Sequence, residues 1–141
     1  DVIASDHAPH TLKEKNNLYL KAPSGGPLVQ HSLLALLSCV KRGKITLEKL
    51  VQKACHNPAI LFEIDKRGFL KEGFYADLVL VDLNDTTFVT KDSLLSKCGW
   101  SPFEGITFDA KIKKTFVNGI KVYENGKIIN TKAGKKLTFR R

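Results

Sequence analysis

Asp1-Val2-Ile3-Ala4-Ser5-Asp6-His7-Ala8-Pro9-His10 opens the chain. Residues 2–5 form a short apolar run that reads as a buried strand. The second half of the stretch is polar, and no regular pattern returns before Pro27. A structureless loop of about twenty residues inside a compact domain is uncommon and marks a functional segment. An aspartate at the C-terminal end of a strand, entering such a loop, is where α/β barrels keep catalytic groups. A carboxylate there can ligate a metal or take a proton from metal-bound water. His7 and His10 add imidazoles within a few residues. Gly25 and Gly26, later in the loop, let backbone N–H groups approach a ligand closely. The same residues also suit a hydrogen-bonded loop anchor, and the pattern alone leaves both readings open.

Beyond the loop, Pro27 fits the first turn of a helix. Leu28, Leu33, Leu34, Leu36, Leu37 and Val40 then recur with helical spacing, and Gly43 stops them. Thr46 reads as the N-cap of a second helix, with Lys49 where a capping box wants Glu and a stripe of Leu47, Leu50, Val51 and Ala54. Asn57-Pro58 caps a short third helix through Ile60, Leu61 and Phe62. From Gly68 the character changes. Ala76 to Leu83 and Lys111 to Val117 read as strands. Asn118-Gly119 and Asn125-Gly126 are hairpin turns, flanking Lys121-Val122-Tyr123 and followed by Ile128-Ile129. This predicts residues 1–64 as one strand, a loop and helices, residues 65–130 as a small β-domain, and residues 131–141 as a loose basic tail.

At 141 residues and 15.7 kDa the chain suffices for one domain. It is too short for a complete (β/α)8 barrel of roughly 250 residues. Its 43% hydrophobic and 26% charged residues suit a soluble globular protein rather than a disordered one. No apolar run approaches the roughly 20 residues of a membrane span, and the opening reads as a strand rather than a leader. A core strand at the first residue, in a chain without Met, predicts that the natural protein starts earlier.

The net charge of +9 raises nucleic acid as a partner. The Lys and Arg residues are scattered, however, apart from Lys135, Lys136, Arg140 and Arg141, and they show no aromatic-basic interleaving of an RNA-binding kind. Solvated faces and no nucleic-acid or membrane partner are therefore expected. Cys39, Cys55 and Cys98 lie far apart without a CxxC pair, which argues against a disulfide framework or a zinc knuckle. Buried, reduced thiols in a cytoplasmic protein are expected. His31 on a helix and His56 at a helix end read as structural. The chain thus lacks a complete catalytic zinc site, which needs three protein ligands.

The run Ala4-Ser5-Asp6-His7-Ala8-Pro9-His10-Thr11 resembles the Asp-His-Ala-Pro-His motif of dihydroorotases, at the end of the eighth barrel strand. Ala22-Pro23-Ser24-Gly25-Gly26 resembles the loop that follows it in that family. Asn57-Pro58-Ala59, Gly68, Gly73 and Ala76-Asp77-Leu78 resemble a junction shared across cyclic amidohydrolases. Ser101-Pro102-Phe103-Glu104-Gly105 and Val117-Asn118-Gly119-Ile120-Lys121-Val122-Tyr123 resemble the C-terminal segment of the same group.

The resemblance implies an α/β fold: the last β/α unit and trailing helices of a metal-dependent (β/α)8 barrel, plus the C-terminal part of a small β-sandwich domain. It implies zinc-dependent, reversible hydrolysis of dihydroorotate to N-carbamoyl-aspartate, a pyrimidine synthesis step, in a full-length homodimer. Asp6 would be the catalytic aspartate, both metal ligand and proton shuttle. His10 would contact the substrate carboxylate, and the backbone around Ser24 and Gly25 would touch the substrate. His7 would give structural support. The family's zinc pair depends on upstream ligands absent here, so the chain alone is expected to be inactive.

Three other readings compete. Allantoinases and dihydropyrimidinases share the fold and the aspartate, but their rings lack the carboxylate that His10 would meet. An inactive dihydroorotase-like subunit could scaffold another enzyme. A non-enzymatic nucleic-acid module would need a continuous basic face and salt-dependent binding.

Overall fold

The computed structural model describes residues 1–129 and 132–140. It is a mixed α/β structure. Its helices are α1 (Leu12–Lys15), α2 (Ser32–Lys41), α3 (Leu47–Val51) and α4 (Asn57–Leu61), the last two joined by a π-helical turn at Gln52–His56. Its strands are β1 (Leu78–Asp82), β2 (Thr87–Phe88), β3 (Thr107–Phe108), β4 (Lys111–Val117), β5 (Ile120–Glu124) and β6 (Lys127–Ile128). A 3-10 turn at Lys91–Ser93 lies between β2 and β3.

The helices begin and end for local reasons. His31 occupies the N-cap of α2, and Ser32 Oγ donates to Leu28 O at 2.8 Å. The helix therefore starts five residues after Pro27, because residues 27–31 form a turn instead of a first helical turn. At the other end Gly43 N–H donates to Val40 O and Lys44 N–H to Cys39 O. This paired arrangement needs a left-handed residue, and Gly43 supplies it with φ +68°. Thr46 caps α3 through the Lys49 N–H at 3.2 Å. The expected third helix does not start afresh at Asn57. Asn57 N–H instead donates to Gln52 O, so α3, the π turn and α4 run on as one rod.

All strand pairings are antiparallel, in a four-stranded sheet ordered β1-β4-β5-β6 and a two-stranded sheet of β2 and β3. Asn118-Gly119 and Asn125-Gly126 both have positive φ, at 52° and 81° and at 45° and 89°. That is the backbone a two-residue hairpin turn requires, and it matches strand twist. The buried core joins Leu34, Leu37 and Leu50 from the helices to Val89, Phe108 and Ala110 from the strands and their links. It thus draws on both sides of residue 64. Ser38 Oγ on α2 accepts the Asp109 N–H at 3.0 Å, a polar tie across the same seam.

Four expectations are corrected. Residues 2–5 form no strand: Ile3 N–H donates to Lys53 O on the π turn, and among the described residues no strand pairs with them. Apolarity specifies burial, whereas a strand also needs a pairing partner. The long loop is not structureless, since α1 forms within it. The tail is not loose where it is described. Ala133 is buried, Asp65 N–H donates to Thr138 O, Arg140 N–H donates to Glu63 O, and Arg140 pairs with Asp65 at 3.0 Å; Thr131 and Arg141 lie outside the described residues. Finally, Cys55 is exposed and Cys39 and Cys98 are half-buried, all three as free thiols.

Candidate functional site

The opening stretch and the later glycine loop meet. His7 and Gly26 form an isolated parallel β-bridge. Ala8 N–H and Leu28 N–H both donate to Gly26 O, at 3.1 and 3.0 Å. Val29 N–H donates to His7 Nδ1 at 3.3 Å, so His7 serves to hold the loop. Gly25 lies flat against the first segment. A Cβ added there would stand 2.7 Å from Ala8 Cβ and 3.6 Å from Asp6 Oδ2. Its φ of +79° is a second reason for glycine.

Asp6 is exposed and has φ +46°, in the left-handed region that aspartate visits more readily than most residues. Strain of this kind concentrates at functional positions. The His10 backbone is fixed at both ends: its N–H donates to Ala8 O at 2.8 Å, and its carbonyl accepts from Trp100 Nε1 at 2.8 Å. Trp100 also covers Gly26, where an added Cβ would meet its ring at 3.7 Å. Gly25 thus lies against Asp6, the His10 backbone is fixed four residues beyond Asp6, and Ser24 beside Gly25 is exposed. The contribution of Trp100 was not legible in the sequence. It lies ninety positions from His10, and only its place beside Ser101-Pro102-Phe103-Glu104-Gly105 hinted at it.

The capping box of α1 gives the loop an internal frame. Thr11 N–H and Oγ1 both donate to Glu14 Oε2 at 2.7 Å, and Glu14 N–H returns to Thr11 Oγ1 at 3.3 Å. The Thr11 hydroxyl first, then its backbone N–H, and to a smaller extent the charge of His10, hold the Glu14 carboxyl below its ordinary value.

His31 and His56 stand apart from this cluster. His31 is buried between Phe103 and Phe108, with Ser101 Oγ 3.4 Å from Nδ1, and burial lowers its pKa. His56 stacks on Phe69 at 4.4 Å. Among the described residues, no group of three His, Cys, Asp or Glu could hold a metal ion. Asp6 contributes one carboxylate, and His7 Nδ1 is already an acceptor for the backbone. These residues do not by themselves fit a metal centre.

Two cavities, of about 540 and 720 Å³, lie elsewhere: one between α4 and Phe74, the other between Leu34 and the β4–β5 face. Asp6 lines neither. Among the described residues no helix is long and apolar enough to cross a membrane.

The sequence matches the amidohydrolase family over residues 1–122. It is 38% identical over 136 residues to the dihydroorotase of Pyrococcus furiosus, covering 96% of this chain and 32% of that protein. It is 41% identical over 125 residues to the dihydroorotase of Clostridium acetobutylicum, covering 88% of this chain and 29% of that one. The chain thus spans about a third of the length of the curated relatives it matches. Among solved structures it is similar in fold to the D-hydantoinase (dihydropyrimidinase) from Thermus sp., with a TM-score of 0.86 at 23% identity over 94% of this chain and 30% of that one. The L-hydantoinase (dihydropyrimidinase) from Arthrobacter aurescens is 32% identical with a TM-score of 0.71, over 79% of this chain and 25% of that one.

Proposed function

The chain belongs to the amidohydrolase family, and from that premise we propose that it serves as the C-terminal third of a dihydroorotase. It would supply the end of a (β/α)8 barrel over residues 1–64 and the C-terminal part of a small β-domain over residues 65–130. The observation that carries this reading is the packing of Gly25 against Ala8 and Asp6, with the His10 backbone fixed nearby and Ser24 exposed beside Gly25, in a loop pinned on itself. The curated dihydroorotase relatives support the same reading.

In the proposed reaction, water adds to the ring amide carbon of dihydroorotate and the C–N bond breaks. Asp6 takes the proton from the attacking water and delivers it to the departing nitrogen, giving N-carbamoyl-aspartate. Its exposed position at the head of the loop leaves the carboxylate open to a reacting group. His10 reads the substrate carboxylate as donor or cation. The backbone at Ser24 and Gly25 approaches the ring without side-chain obstruction. The complete enzyme is proposed to be zinc-dependent, homodimeric and cytoplasmic and to act in pyrimidine synthesis. Asp6 is the one metal ligand this chain offers, and the chain alone is expected to be inactive.

The test is made in the complete gene product that carries this chain. Asp6→Ala should lower turnover of dihydroorotate by about a thousandfold or more, the upper range for loss of a positioned proton carrier. His10→Ala should raise the Michaelis constant more than it lowers turnover. Near-normal turnover in Asp6→Ala would sink the assignment.

A further inference from the structure

Lys15 closes α1, and its side chain leaves the helix toward the glycine loop. Its ammonium donates to Pro23 O at 2.6 Å and to Gly25 O at 3.0 Å. Both partners are carbonyl oxygens of one short segment, and the side chain is half-buried. A compact ammonium with three rotatable donors can gather two carbonyls that curl toward one point. The two carbonyls flank Ser24, so the contact fixes the path of the backbone on either side of it. Gly25, the second of these partners, is the position pressed against Ala8 and Asp6.

We infer that Lys15 is a positioning residue, the strap that holds the Pro23–Gly25 backbone over Asp6. The inference rests on the proposed dihydroorotase reading for its substrate and on hydrogen bonding alone for its mechanism. The α1 capping box explains why the strap is well aimed. Thr11 and Glu14 fix the single helical turn from which Lys15 projects, and Asn17 Nδ2 donates to Glu14 O at 3.0 Å to close its far end. The polar loop thus spends its charged residues on its own geometry: Glu14 frames the turn and Lys15 reaches from it to the loop's far arm. Without the ammonium, two carbonyls lose a charged donor at once, and the arm that carries Ser24 and Gly25 is left strung between Ala22, whose N–H donates to Leu18 O at 2.9 Å, and Gly26.

The experiment compares the complete gene product with its Lys15→Met and Lys15→Arg variants. Two readouts are taken: steady-state kinetics with dihydroorotate, and amide hydrogen exchange over residues 6–10 and 22–28. Lys15→Met should speed exchange at Ala8 and Leu28, whose N–H groups depend on Gly26 O, while the melting temperature holds. It should raise the Michaelis constant about tenfold or more and lower turnover less than about threefold, because a charged hydrogen bond is lost from binding geometry rather than from chemistry. Lys15→Arg keeps the charge and should recover part of both effects. Unchanged exchange in Lys15→Met overturns the strap, and faster exchange with an unaltered Michaelis constant overturns its role in positioning. If the wild-type protein is inert toward dihydroorotate, the functional reading fails, and the exchange measurement still decides whether Lys15 holds the arm.

Discussion

Residues 6–26 contain one helical turn and one isolated bridge, whereas residues 111–128 are three strands joined by two Asn-Gly turns. The hairpins hold their shape through a repeated ladder in which any one bond is a small part of the whole. The loop holds its shape through a few unrepeated anchor groups: Gly26 O, His7 Nδ1, Trp100 Nε1 and the Lys15 ammonium. A surface built this way can expose Asp6 and Ser24 while keeping their backbone defined. The same economy makes it sensitive to single substitutions in binding, though not in global stability, because regions with few buried apolar contacts open locally.

Paired glycine substitutions break or sharpen that contrast. Gly68 has φ +80°, and an added Cβ would lie 2.4 Å from Ala59 Cβ and 2.7 Å from Cys55 O, against the continuous helical rod. Gly68→Ala should lose about 3 kcal/mol of unfolding free energy, from left-handed strain and overpacking together. Gly25→Ala meets Ala8 at 2.7 Å with similar φ, yet its loop can yield, and it should lose only about 1 kcal/mol while dihydroorotate binding weakens clearly. Denaturant melts of both variants check the difference, and equal losses would erase the contrast.

Asp77 gives the next largest effect. Its carboxylate pairs with Arg67, whose side chain is well buried, and accepts the Asn118 N–H at 2.7 Å; Arg67 also donates to Asn118 Oδ1 at 2.7 Å and lies 4.2 Å from the Tyr75 ring centre. Asp77→Ala leaves the guanidinium with fewer partners and removes one tie of the first hairpin turn, which keeps Gly119 N–H on Ala76 O and Arg67 on Asn118 Oδ1. A loss of about 2 kcal/mol is expected, discounted because the carboxylate is partly solvated. Turnover of the folded fraction should be unaffected.

The smallest effect is a pH dependence. Burial between Phe103 and Phe108 lowers the His31 pKa from its ordinary 6.5. As pH falls below that value, the unfolded chain takes up a proton that the folded chain refuses, and stability falls. Urea melts across about pH 7.5 to 5 should show this slope, and His31→Gln should be less stable at neutral pH but flatter toward acid. An unaltered slope in that variant would assign the dependence to other groups.

Much of the sheet was legible because its signals are local. Asn118-Gly119 and Asn125-Gly126 dictate positive φ whatever surrounds them, and Gly43 and Thr46 mark helix ends by the same logic. The residue types at Asp6, His10, Ser24 and Gly25 singled the loop out in the sequence, but the contacts that shape it were not legible there. Trp100, Lys15 and the tail at Thr138–Arg140 act through partners that no periodicity reveals. The apolar run at 2–5 is half-buried at Val2, Ile3 and Ser5 and exposed at Ala4, and a strand depends on a neighbour that the run itself does not specify. Pro58 read as a helix start because it lacks an N–H, and the π turn before it accommodates that lack equally well.

The central claim is that this loop serves a ring bearing a carboxylate. It is tested most directly by offering the complete gene product dihydroorotate, hydantoin, dihydrouracil and allantoin side by side and comparing kcat/KM. The account predicts turnover of dihydroorotate and little or none of the other three. Hydantoin or dihydrouracil turned over as well as or better than dihydroorotate would contradict it, and would give His10 some task other than reading a carboxylate.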